Sequence, residues 1–114
     1  MTGFTHDRPS TPAWVLDGFF RWRSGILVLD DGRLAFSTPE AQVFDVPLTS
    51  VAGVRFPWYY VGGGVILTAG DHLYRLSFVE PGDQGDLAGG RQAGRLWRSA
   101  FIAAGLLQGE TREV

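Results

Sequence analysis

The 114-residue chain contains no cysteine. Disulfide staples, thiol nucleophiles and cysteine-based zinc sites are therefore excluded. Lysine is absent too, so all ten basic residues are arginine. They are scattered among abundant Gly and Ala, which fits a GC-rich genome better than selection for guanidinium chemistry. The net charge is −2, so nothing draws the whole chain to nucleic acid or to an anionic bilayer. Residues 1–10 lack the apolar core of a secretory signal. The longest charge-free stretch, residues 56–70, contains three consecutive glycines and falls short of the ~20 apolar residues of a spanning helix. The expected address is the cytoplasm of a bacterium, with no membrane span.

What is present suits one folded domain. A hydrophobic fraction of 45% is too high for a disordered chain, and a chain of this length supports one core without staples. Residues 1–12 are polar and carry Pro9 and Pro12, so they read as a flexible lead-in. A single domain is expected over residues 13–108, followed by a frayed tail at 109–114.

Within that span, short strand-like runs alternate with turn residues. Trp14-Val-Leu and Phe19-Phe-Arg-Trp-Arg23 flank Asp17-Gly18, as one bent strand or two short ones. Ile26 to Leu29 are apolar on both faces, which predicts a strand covered on both sides. Asp30-Asp31-Gly32 supplies turn chemistry. Beyond it, Leu34, Phe36 and Thr38 share one face, as do Phe44, Val46 and Leu48. Pro47 cannot donate to a ladder, so it marks a strand end or an edge. Further strands are predicted from Val51, from Val65 and from Leu73, the last with Tyr74, Leu76 and Phe78 inward. Six or seven closely spaced strands predict an antiparallel barrel or sandwich. Residues 80–90 read as a breaker-rich loop. The period then changes: Trp97, Phe101 and Ala104 recur at helical spacing, with Leu96, Ala100 and Leu107 beside them. That predicts a C-terminal amphipathic helix of about four turns, weakened at Gly105 and stopped at Gly109. The core is expected around Phe36, Phe44, Leu76, Phe78, Trp97 and Phe101.

This order of elements resembles the pleckstrin-homology-like superfold, and more narrowly its GRAM and bacterial branch. Gly25-Ile-Leu-Val-Leu-Asp-Asp-Gly-Arg-Leu-Ala-Phe36 is similar to that branch's G-x-L-x-L-T-x-x-R-L-x-F hairpin. Val43-Phe-Asp-Val-Pro-Leu-Thr-Ser-Val51 is similar to its strand exit. Tyr74-Arg-Leu-Ser-Phe78, followed by Trp97, is similar to its last strand and helix. The resemblance spans residues 14–107 and implies a mainly β bent barrel plugged by the helix. Members that bind phosphoinositides share a basic cluster around the first hairpin. Here only Arg21 and Arg23 stand there, separated by Trp22.

No chemistry-bearing constellation emerges. Asp30 and Asp31 suffice as turn residues, and Glu80, Asp83 and Asp86 lack the spacing of a calcium loop. His6 and His72 have neither a Ser-His-Asp nor a His-x-x-x-His context. Gly62-Gly-Gly64 precedes a strand and no Lys-Ser/Thr pair, so it is not a phosphate loop. The expectation is therefore no enzyme, no cofactor and no metal. Trp58-Tyr59-Tyr60 remains. Strand alternation must send at least one of three consecutive rings away from the core. The run fits either a cap on an open barrel end or an exposed aromatic contact, a residue class enriched at binding hot spots. The functional expectation is a protein-interaction or scaffold domain, self-association included, anchored at Trp58, Tyr59 and Tyr60. The alternative is a membrane-surface or small-ligand module using Arg21 and Arg23.

Overall fold

A computed structural model describes residues 9–17, 21–57, 63–81 and 87–107. Among the described residues, seven strands precede one helix: β1 (Ser10–Asp17), β2 (Arg21–Asp30), β3 (Arg33–Ser37), β4 (Gln42–Pro47), β5 (Val51–Arg55), β6 (Gly64–Ala69), β7 (His72–Ser77) and α1 (Leu87–Ala103). All pairings are antiparallel, in one sheet of order β4-β3-β2-β1-β7-β6-β5. The predicted class, mainly β with one closing helix, is what the chain adopts.

The two edge strands, β4 and β5, are consecutive in sequence. Only a 3-10 turn, Leu48–Ser50, joins them. Four Cα steps cover at most about 15 Å, so the sheet must curl until its edges nearly meet. The link is tied to a hairpin turn of each half. Leu48 N–H donates to Gly32 O, and Gly70 N–H donates to Ser50 O, both at 2.9 Å. Ring contacts report the same curl. Phe44 on β4 lies 4.7 Å, between centroids, from Tyr74 on β7. Four strand spacings of a flat sheet would separate those strands by about 19 Å.

The interior of the curl holds Leu27, Leu34, Phe36, Phe44, Val65, Leu67, Leu76 and Phe78, all buried. Asp31 (φ 54°) and Gly32 (φ 75°) make the expected tight turn between β2 and β3. Pro47 ends β4, which is also an edge.

Four expectations require correction. First, β1 begins at Ser10, inside the expected lead-in. Pro9 and Pro12 read as breakers, yet Pro9 precedes the strand and Pro12 costs no ladder bond. Leu29 N–H donates to Pro9 O, which sets the phase in which alternate residues of β1 face β2. Pro12 falls in the opposite phase, toward β7, which pairs only with Trp14 and Val15. Second, β2 is covered on one face only, since Ile26 is 43% exposed. Third, Gly89 and Gly90 are helical rather than part of the loop. Fourth, the helix stops at Gly105, not Gly109, which lies outside the described residues. Gly105 has φ 79°; its N–H donates to Ile102 O and Leu106 N–H donates to Phe101 O, a Schellman stop.

Helix α1 closes the curl with Trp97 and Phe101, both fully buried. Four rings run in a chain. Phe78 stacks on Trp97 (6.5 Å, 4° between planes), Trp97 meets Phe101 (5.7 Å), and Phe101 meets Phe56 beyond β5 (6.1 Å). The indole N–H of Trp97 donates to Thr11 Oγ1 at 2.8 Å, so the helix is tied to β1 as well.

Trp97→Ala is expected to destabilise the fold by about 3–5 kcal/mol, read from urea midpoints. Thr11→Val keeps the shape but orphans a buried indole N–H, and should cost about 1–3 kcal/mol. A Thr11→Val protein as stable as wild type would show that the bond contributes nothing.

Candidate functional site

A hollow opens in the surface between β1 and α1. Its walls follow from the closure just described. Ser77 Oγ accepts from Val79 N–H (3.1 Å) and donates to Val79 O (2.6 Å). This local loop ends β7 and turns Phe78 inward beneath Trp97. Helix α1 then sits directly on the strand exit, because residue 90 has no side chain. A Cβ at Gly90 would lie 2.1 Å from Val79 Cγ2 and 3.5 Å from Phe78 O.

The hollow, of about 850 Å³, lies between the helix, β1 and the exit of β7, and Gly89 and Gly90 form part of its lining. Pro12, Trp14, Phe78, Ala93 and Leu96 give it apolar walls, and Glu80, Gln92, Arg95 and Ser99 supply polar groups. A second hollow of about 470 Å³ continues along the same flank, lined by Pro9, Leu29, Ala100, Ala103 and Ala104. The two share Leu96 and Ser99, so together they form one trough along the helix. Leu96, placed by sequence beside the buried stripe, is instead 45% exposed at the middle of this trough. Ile26 adjoins it, opposite Pro12 in the β1–β2 ladder.

The arrangement offers apolar contact with a few polar groups around it, the chemistry of a binding surface. Among the described residues that line it there is no histidine and no cysteine. Among the described residues, no group of three or more His, Cys, Asp or Glu side chains could hold a metal ion. Among them too, no helix is long and apolar enough to cross a membrane.

The residues singled out from sequence fall in different places. Trp58, Tyr59 and Tyr60 lie outside the described residues. Their neighbour Phe56 packs on Phe101, with the Arg98 guanidinium 5.7 Å from its ring centre. Arg21 and Arg23 stand at the start of β2, and neither lines the trough. Arg21 is exposed; Arg23 is half-buried and reaches Thr38 Oγ1 at 3.4 Å. Phe36, Phe44, Leu76, Phe78, Trp97 and Phe101 are all buried, and Phe78 also forms part of the trough. Of the acids in residues 80–86, Glu80 lines the trough, while Asp83 and Asp86 lie outside the described residues, as does His6. His72 opens β7 and is exposed.

The trough itself was not anticipated. Its signal was a second apolar row on the helix, Ala93, Leu96, Ala100 and Ala103, beside the row of Trp97 and Phe101. Small side chains in that row made it look like an extension of the buried face.

No protein-family model matches the chain, and no curated protein matches it. Among solved structures, it is similar to the N-terminal PH domain of human ARAP2. The TM-score is 0.58 and the identity 12%, over 99% of this chain and 95% of that one. The fold is therefore pleckstrin-homology-like.

Gly90→Ala should lower the unfolding midpoint by an amount equivalent to about 1–3 kcal/mol, because the added methyl must push α1 off Val79. Gly105→Ala, which strains a left-handed residue in open space, should cost about 1 kcal/mol. Equal effects at the two positions would argue against close helix–strand contact at Gly90.

Proposed function

We propose that this chain is a non-enzymatic interaction domain of the pleckstrin-homology type, which takes a segment of a protein partner in the trough between β1 and α1. The observation that carries this reading is Leu96. It is a large apolar side chain, 45% exposed, in the middle of an apolar-walled hollow. A partner's side chain seated against Leu96, Trp14 and Pro12 would remove that surface from water. Gln92, Ser99, Arg95 and Glu80 would supply hydrogen bonds and charge at its margin.

A GRAM-type relationship, supported by the hairpin of residues 25–36, and action in the bacterial cytoplasm belong to the same proposal. Membrane or inositol-phosphate binding has less support. Arg23 engages Thr38, Arg21 is the other cation at that end of β2, and the net charge is −2. Phosphate sites usually gather several donors.

A random-peptide display library panned against the immobilised protein tests the proposal. Selected peptides should carry apolar anchors. Their affinity should fall at least about tenfold with Leu96→Asp and stay unchanged with Arg21→Glu. Peptide binding indifferent to Leu96→Asp would overturn the reading. So would Arg21-dependent sedimentation with phosphatidylserine or phosphoinositide vesicles, which would move function to the β2 arginines.

A further inference from the structure

Although the net charge of the chain is −2, α1 holds three arginines, Arg91, Arg95 and Arg98, and no acid. All three are exposed. Their spacing puts them on one flank of the helix, where like charges repel and weaken it. At about 100° per residue, Trp97 and Arg95 lie to either side of Leu96. The helix therefore carries three parallel rows. Trp97 and Phe101 lie in the core. Ala93, Leu96, Ala100 and Ala103 face the trough, and the arginines run along the far side of that trough row.

The two walls differ in charge. On the strand wall, Pro9, Thr11, Pro12 and Trp14 bring no charged side chain, while Arg95 lines the helix wall. Arg95 has no hydrogen-bond or ion-pair partner among the described residues. Among the same residues, Glu80 is the acid of the lining. It follows Val79, which packs on Gly90 in the first turn of α1. Unpaired N–H groups and the helix dipole favour a carboxylate at that end. Arg95 stands more than a turn further along, without such an offset.

Resting on the reading of the trough as a protein-binding surface, we propose that the partner segment it takes is acidic. Apolar side chains of the segment seat against Leu96 and the strand wall, and its carboxylates run along the helix side, with Arg95 as the central pair. Charge complementarity selects this occupant. A basic segment would set like charges against Arg95, and a neutral one would leave the arginine row unpaired.

Three random-peptide display libraries test the charge. They share apolar positions, and the other positions are drawn from Asp and Glu, from Asn and Gln, or from Lys and Arg. Among binders lost with Leu96→Asp, those of the acidic library should be about tenfold tighter than the neutral ones at low salt. R95E should weaken the acidic binders by at least about tenfold. It should leave neutral binders unchanged, which also shows that the variant is folded. Acidic binders indifferent to R95E, or no tighter than neutral ones, would overturn the proposal. So would Arg95-dependent sedimentation with phosphatidylserine vesicles in the absence of acidic binders, which would assign the arginine row to a membrane surface. Neutral binders lost with Leu96→Asp would then leave the protein-binding reading standing while the acidic partner falls. If no library yields a binder lost with Leu96→Asp, both readings fall.

Discussion

Everything in this structure depends on one short piece of chain. Strands β4 and β5 lie at opposite edges of a seven-stranded sheet, yet three residues connect them. A flat sheet of that width cannot satisfy the connection, so the sheet has to roll up. Rolling brings the inward faces of β4 and β7 together and allows Phe44, the ladder partner of Phe36, to touch Tyr74. The apolar rings that hold the curl closed are thus the rings the link brings together. Connection and core enforce each other.

A rolled sheet with unpaired edges leaves an opening, and α1 fills it with aromatic residues. Its grip is lopsided. On the β7 side, Gly90 brings the helix backbone against Val79 and Phe78. On the β1 side the tie is a hydrogen bond from Trp97 to Thr11. The trough lies between the helix, β1 and the exit of β7, and Gly90 itself forms part of its lining. The candidate site is therefore a consequence of how the helix closes the domain. It also leaves apolar surface in water, since Leu96 at the middle of the trough is 45% exposed.

The strands and turns were largely legible from local chemistry. Alternation identified the inward residues of β3 and β7, and Asp31-Gly32 marked its turn. The misread positions share a cause. Pro12 looked like a breaker because its harmlessness depends on where β7 stops pairing, which no local pattern encodes. Gly89 and Gly90 looked like loop because helix propensity counts them as unfavourable, whereas the contact with Val79 requires the missing side chain. Gly105 looked like a weak point inside a helix, but it is the residue whose positive φ ends it. For the site, sequence identified Leu96 as apolar and helical, and could not tell which side of a broad apolar stripe would find a neighbour.

Sequence by itself determined the strand pattern, the closing helix, the buried aromatic residues and the lack of any thiol. These follow from residue type and periodicity, which act over a few positions. Only the tertiary structure decided that β4 and β5 are edges brought close together, that Gly90 of α1 sits against Val79 just past β7, and that Leu96, Arg95 and Glu80 border one trough. Those facts depend on distances between segments tens of residues apart. Such distances are set by the curl of the whole sheet and by the space a single missing side chain leaves at Gly90.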